Sequence, residues 1–108
     1  MTPTEYLLTK LADECLGVAA ACHKAMLYGL TEGVPGTNRT NQGDIASRMN
    51  DVRAVLTLLK DVKVDIPFDR EHITAKQEKT VHQIGRAIDR GIVHLAHSPT
   101  RPSGQRSA

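Results

Sequence analysis

The chain has 108 residues and a formal net charge of +2 at pH 7, and 40% of its residues are hydrophobic. This length fits one domain, and the composition is that of a globular protein rather than of a disordered chain. The small net charge argues against a dedicated nucleic-acid-binding domain. With two Tyr, one Phe and no Trp, the chain also lacks the aromatic faces on which single strands stack.

The N-terminal part predicts one long helix, from about Pro3 to Tyr28. Thr2 suits the N-cap, Pro3 the first helical position, and Glu5 completes a capping box. A Gly- and Pro-rich loop follows and runs to about residue 40. Apolar residues recur along the helix with the helical period: Leu7, Leu8, Leu11, Cys15, Val18, Ala19, Cys22, Ala25 and Met26.

The two cysteines lie on this first predicted helix. Their Cα atoms would be about 10 Å apart at the helical rise per residue, which is too far for a disulfide. We therefore expect Cys15 and Cys22 to be small buried core residues in a reducing compartment.

A second helix is predicted from residue 41 to about residue 62. Asp44 lies in its first turn, where the helix dipole favours an acid. One face of this helix carries the apolar residues Ile45, Met49, Val52, Leu56 and Leu59.

A third helix is predicted after a turn, with Asp69 as its N-cap and its end near His97. Gly85 and Gly91 weaken this helix, so a break at either residue is an open alternative. The expected buried stripe is Ile73, Gln77, Val81, Ile84, Ile88, Ile92 and Leu95.

The three amphipathic helices favour an all-α fold, a helical bundle completed by oligomerisation. The helical domain would span residues 1–97, and residues 98–108, which contain no large apolar side chain, would form a disordered tail. No apolar run approaches the roughly 20 residues needed to cross a bilayer. The acidic residues near the N-terminus also argue against a signal peptide, which begins with a basic region. We expect a cytoplasmic protein with no membrane partner.

Two acidic residues are predicted to lie near the inward side of their helices. Glu14 shares a helix face with Leu7, Leu11, Val18, Ala21 and Ala25, and Asp51 lies one turn from Val55. An acid inside an apolar stripe is costly unless it is paired, protonated or bound to a cation. Facing acids on two helices can form a metal site. Alternatively, each acid pairs with a neighbouring Lys or Arg.

A resemblance to a known family narrows these alternatives. The segments LLTKLADECLGVAAACHKAMLYGL, TNQGDIASRMNDVRAVLTLL and DREHITAKQEKT resemble the small MazG-like proteins, all-α NTP pyrophosphohydrolases that are common in phages. The likeness covers roughly residues 5–85 in order and spacing. It implies E-x-x-E on the first helix and E-x-x-D on the second, four carboxylates whose Mg²⁺ ions bridge a nucleotide's phosphates. It also implies dimers or tetramers.

The chain departs from that family pattern at two of the four carboxylates. Glu14 matches the first Glu of E-x-x-E, but Gly17 takes the place of the second. Asp51 matches the Asp of E-x-x-D, but Arg48 takes the place of its Glu. The resemblance also implies lysines that approach the phosphates, and Lys24, Lys76 and Lys79 match them. Asn50 matches the Asn that often precedes the Asp, and it would lie in the pocket with Gly17.

These departures change the chemistry that the site would support. Replacing a carboxylate with Arg48 moves the local charge by two units toward positive. A guanidinium repels Mg²⁺ but binds phosphate oxygens with two parallel hydrogen bonds. Arg48 can instead pair with Asp44 or Asp51. The missing side chain at Gly17 leaves room for a ligand or for a close helix contact.

These residues leave three hypotheses about function open. The favoured one is a non-hydrolytic nucleotide-binding protein that grips the phosphates of a nucleotide or nucleotide signal, as an anti-defence sponge in the host cytoplasm if a phage encodes it. The first alternative is an active NTP pyrophosphohydrolase, which would need Mg²⁺ and would use Glu14, Asp51 and either Asp13 or Asp44. The second alternative is a protein-interaction module with a vestigial pocket.

Overall fold

The computed structural model describes residues 1–95, which form three α-helices: α1 (Pro3–Tyr28), α2 (Asn41–Asp61) and α3 (Arg70–Asp89). Within these residues the β-type pairing is limited to a single bridge between Gly33 and Thr40. The predicted all-α class is therefore confirmed. None of the described helices is both long enough and apolar enough to cross a membrane. The tail predicted for residues 98–108 lies outside the described part of the chain.

The chain divides into two compact units. The N-terminal unit, Met1–Pro67, contains α1 and α2, and the C-terminal unit begins at Phe68 and contains α3. The domain boundaries predicted from the sequence stay a prediction.

Helix α1 begins and ends where its local signals predict. The Thr2 hydroxyl accepts a hydrogen bond from the Glu5 N–H at 3.1 Å, and the Thr2 N–H donates to the Glu5 carboxylate at 2.7 Å. This capping box satisfies N–H groups that have no partner inside the helix. At the other end Gly29 has a φ of 96°, and its N–H donates to the carbonyl of Ala25 at 2.8 Å.

The loop between α1 and α2 is tied back onto the start of α2. The Asn41 side chain donates to the carbonyl of Gly29 at 2.9 Å, and its backbone N–H donates to the carbonyl of Glu32 at 2.8 Å. Thr40 is the N-cap of α2, and its hydroxyl accepts from the Gly43 N–H at 3.1 Å. The end of α1, the loop and the first turn of α2 therefore form one connected piece of backbone.

Helices α1 and α2 pack against each other through a small apolar core. Its buried side chains are Ala21, Ala25, Val55 and Leu59. Small residues on α1 let the two helices approach closely. The prediction of two buried thiols was wrong for Cys15, which is exposed, whereas Cys22 is partly buried.

Helix α3 ends at Asp89, earlier than the predicted end near His97. Gly91 adopts a φ of 74°, a left-handed conformation that ends helices and that glycine adopts at little cost. The N–H of Ile92 then turns back to the carbonyl of Ala87 at 2.9 Å. Ile92 and Leu95 therefore lie beyond the helix, and residue 97 lies outside the described part of the chain.

The apolar stripe of α3 is not buried within the C-terminal unit. No residue of α3 is fully buried, and Val81 is 68% exposed. Ile84 is exposed as well. The helix is amphipathic as predicted, but its apolar face remains accessible to solvent.

Candidate functional site

The two positions that depart from the family pattern lie in contact across the α1–α2 interface. A Cβ atom built on Gly17 would lie 2.9 Å from Nη1 of Arg48 and 3.3 Å from its Cδ. Real Cβ atoms essentially never approach a heavy atom within 3.0 Å. The space that Gly17 leaves on α1 is therefore occupied by the side chain of Arg48 from α2.

Arg48 pairs with Asp44, one of the two partners that its sequence spacing allowed. Its Nε lies 3.7 Å from Oδ2 of Asp44, one helical turn earlier. The other carboxylate oxygen, Oδ1, lies 3.3 Å from Nη2 of Arg39 in the preceding loop. One carboxylate thus binds two guanidiniums, and these three residues are named the Arg39–Asp44–Arg48 cluster.

Burial differs sharply within the Arg39–Asp44–Arg48 cluster. The Asp44 side chain is only 7% exposed, whereas those of Arg39 and Arg48 are 48% and 42% exposed. A buried carboxylate needs ionic partners to offset its desolvation. Two arginines on one aspartate leave a formal charge of +1, on side chains that solvent still reaches. The cluster can therefore attract an anion.

Glu14 has a basic partner on its own helix. Its Oε2 lies 3.5 Å from Nζ of Lys10, and its side chain is 20% exposed. The alternative in which this acid pairs with a neighbouring lysine is thus what the structure contains.

Asp51 does not lie at a buried position, although the sequence predicted one near the inward edge of α2. Asp51 is two helical turns from Asp44 and so shares its face, but its side chain is exposed, whereas Asp44 is buried. The buried acid of α2 is therefore Asp44.

The Mg²⁺ site implied by the resemblance does not fit these residues. Within residues 1–95, no group of three His, Cys, Asp or Glu side chains is arranged to hold a metal ion. The cationic side chain of Arg48 fills the space beside Gly17, and the Glu14 carboxylate is paired with Lys10. A guanidinium at this position opposes cation binding by simple charge repulsion.

Lys24 lines a cleft between the end of α1 and the loop that connects α1 to α2. The cleft has a volume of about 360 Å³ and is lined by Lys24, Tyr28, Glu32, Gly33, Val34, Pro35 and Asn41. Asn41 is only 5% exposed and lies one helical turn before Asp44 on the same face of α2. The cleft and the cluster are therefore neighbours in the N-terminal unit.

The remaining predicted residues lie on solvent-exposed surfaces. Asn50 accepts a hydrogen bond from Nη1 of Arg53 at 2.8 Å and is exposed. Lys76 and Lys79 are exposed on α3 in the C-terminal unit. Lys76 also lines a shallow groove of about 440 Å³, together with His72, Ile73, Gln77, Thr80 and Val81.

Arg39 is the charged residue of this site that sequence reasoning missed. The pairing of Asp44 and Arg48 follows from their spacing on one helix. Arg39 comes from a loop, and its side chain reaches Asp44 because the loop is tied to α2. A basic residue directly before the N-cap Thr40 was the only available signal.

Comparison with known proteins adds no assignment: no protein-family model matches the chain, and neither does any curated protein or solved structure. The functional interpretation therefore depends on the residues described above.

Proposed function

We propose that this chain is a MazG-like helical protein that binds the phosphates of a nucleotide or nucleotide-derived signal and does not hydrolyse it. The observation that carries the proposal is the contact between Gly17 and Arg48. At the two positions where the family would place metal-binding glutamates, this chain has a vacant side-chain position and a guanidinium that fills it.

The charge of the site favours phosphate over a metal ion. Guanidinium groups bind phosphate oxygens directly, with two donors in a planar fork. Arg48 is engaged by Asp44 through its Nε, and its side chain remains 42% exposed. Mg²⁺ would have to approach this positive group without the two missing carboxylates, so we propose binding without cleavage.

The neighbouring cleft supplies room for the rest of a nucleotide. Its volume of about 360 Å³ falls within the roughly 300–1,000 Å³ that is typical of small-molecule sites. Tyr28 offers an aromatic ring there, and Lys24 offers a second cation. In this proposal the phosphates bind near Arg48 and the base or sugar enters the cleft.

The proposal includes a homo-oligomer, a dimer or a tetramer. The apolar stripe of α3, with Val81 and Ile84 exposed, would be costly to leave in water. A second copy of the chain would cover it. Lys76 and Lys79 lie on this helix, and the family resemblance is what assigns them to phosphate binding in this proposal. Such a protein could act in the cytoplasm as a sponge that sequesters a nucleotide signal.

Isothermal titration calorimetry in EDTA tests the proposal. The ligands are ATP, GTP, ADP-ribose and cyclic oligonucleotides, each titrated into the full chain. We expect at least one to bind without a divalent cation, and Arg48→Gln to weaken it at least tenfold. The matched control is Arg53→Gln, because Arg53 is an arginine on the same helix whose hydrogen bond is to exposed Asn50.

Three results would contradict the proposal. One is a wild-type chain that binds none of these ligands, as expected for a protein-interaction module. Another is binding that EDTA abolishes. The third is release of pyrophosphate from nucleoside triphosphates in Mg²⁺, as expected for an active hydrolase.

A further inference from the structure

We infer that Arg39 is a second phosphate-binding residue, and that Asp44 is a positioning residue that holds Arg39 and Arg48 as a pair for one phosphate or pyrophosphate group. This inference rests on the proposed function and deepens it, because it assigns the phosphate subsite to two elements of the N-terminal unit. Arg39 belongs to the loop and Arg48 to α2.

Asp44 has one guanidinium at each of its two carboxylate oxygens. Oδ1 lies 3.3 Å from Nη2 of Arg39, and Oδ2 lies 3.7 Å from Nε of Arg48. Each arginine therefore lies against a different oxygen of one carboxylate. A guanidinium has five N–H donors, and each of these arginines gives Asp44 only part of its set. Apart from Nη1 of Arg48, which lies beside Gly17, the other donors of the two side chains are available in this inference to an anion that bridges them.

The cluster has more positive charge than is needed to neutralise one buried carboxylate. One arginine would neutralise Asp44, and the second leaves a net positive charge beside it. Asp44 is nearly buried while the side chains of both arginines are about half exposed, so solvent reaches the positive side chains more easily than the negative one. An incoming phosphate can therefore reach both cations, and their contacts with Asp44 restrict their orientation.

Hydrogen bonds within the loop hold the backbone around Arg39. Its N–H donates to the Thr37 hydroxyl at 3.1 Å, and its carbonyl accepts from the Val34 N–H at 2.8 Å. The Gly33–Thr40 bridge closes the same turn. Such preorganisation lowers the entropy cost of binding. It also links Arg39 to the cleft, because Val34 lines that cleft.

The experiment measures binding of ADP and inorganic pyrophosphate to the full chain in EDTA, over a series of KCl concentrations. We expect Arg39→Gln and Arg48→Gln each to lose at least tenfold in affinity and to reduce the salt dependence, because each removes one cation. Asp44→Asn should also lose affinity, because the two arginines are no longer held in position. It should keep the salt dependence, because both cations are still present. Arg53→Gln should match the wild type in both measurements.

A chemical measurement on the wild-type chain does not depend on how the variants fold. Phenylglyoxal modifies accessible arginines, and mass spectrometry of the peptides gives the rate at each site. We expect millimolar pyrophosphate to slow modification of Arg39 and Arg48 together and to leave Arg53 unchanged.

The outcomes separate this inference from the proposed function. If Arg39→Gln binds like the wild type while Arg48→Gln loses binding, or if pyrophosphate protects Arg48 alone, Arg39 only anchors the loop and the inference is overturned. The same holds if the wild type binds a nucleotide of the calorimetric panel but neither ADP nor pyrophosphate at millimolar concentration. If it binds no member of that panel, the proposed function itself fails.

Discussion

Gly17 of α1 and Arg48 of α2 are sterically complementary: a Cβ atom at residue 17 would lie 2.9 Å from the Arg48 guanidinium. The closest atom belongs to the end of a flexible side chain, which can move without disturbing either helix backbone. A small substitution at residue 17 should therefore displace the guanidinium more than it destabilises the fold.

Gly17→Ala should leave the chain folded and weaken phosphate binding. Replacing a helical glycine with alanine gains roughly 0.5–1 kcal/mol of helix stability, which the displacement of Arg48 would offset. We expect little change in the urea unfolding free energy and about a tenfold loss of pyrophosphate affinity. Gly85→Ala is the matched control, because a Cβ at Gly85 has no atom within 4 Å; it should stabilise the chain and leave affinity unchanged. Unchanged affinity in Gly17→Ala would argue against a phosphate site at Arg48.

The double variant G17E/R48E should exchange phosphate binding for cation binding. It places one carboxylate at residue 17, which now has no side chain, and one at residue 48 in place of the guanidinium. Glu14 and Asp51 lie one helical turn away on the same two helices. We expect Mg²⁺ to bind measurably by calorimetry, and pyrophosphate binding in EDTA to disappear. A double variant that binds Mg²⁺ no better than the wild type would count against the assignment of residues 17 and 48 to the family's metal-site positions.

Asp44→Asn should destabilise the N-terminal unit. The substitution removes the negative charge that two arginines share, and hydrogen bonds to charged groups contribute about 1.5–3 kcal/mol each. The half-exposed arginines recover some hydration, so we expect a net loss of about 1–3 kcal/mol in urea unfolding. Asp51→Asn, at an exposed position on the same helix face, should change stability by less than about 0.5 kcal/mol. If Asp44→Asn lowers the unfolding free energy no more than Asp51→Asn does, the ion pairs of Asp44 do not stabilise the unit.

Val81→Asp should disrupt the proposed oligomer. Val81 lies on the exposed apolar stripe of α3, and a carboxylate there would be desolvated by a second copy of the chain. We expect light scattering after size exclusion to give a dimer or tetramer for the wild type and a smaller species for the variant. Gln83→Glu, which adds the same charge outside the stripe, should leave the assembly intact. A monomeric wild type at high micromolar concentration would contradict this part of the proposal.

The limits of α1 were predictable because they depend on neighbouring residues. Thr2 and Glu5 cap its start through bonds within one turn, and Gly29 ends it with a positive φ. The predicted end of α3 near His97 was wrong, whereas the alternative of a break at Gly91 was confirmed. Apolar residues continue with helical spacing to Ile92 and Leu95, but the backbone leaves the helix at Gly91. Periodicity alone could not decide which of the two signals would prevail.

The candidate site was predictable only where one helix contains both partners. The pairing of Asp44 with Arg48 is such a case. The exposure of Asp51 depends on what covers that end of the helix face, which is a tertiary property. The contribution of Arg39 depends on a loop closed by hydrogen bonds to α2, and no spacing rule contains that information.

The contact between Gly17 and Arg48 has a consequence for the order in which substitutions can accumulate. A side chain added at residue 17 while Arg48 is present must first displace a guanidinium, whereas the same side chain added after Arg48 is shortened enters open space. The effects of the two substitutions should therefore be non-additive, as is usual for residues in contact. A route toward a carboxylate site that changes residue 48 before residue 17 avoids the steric conflict, and the reverse order passes through it.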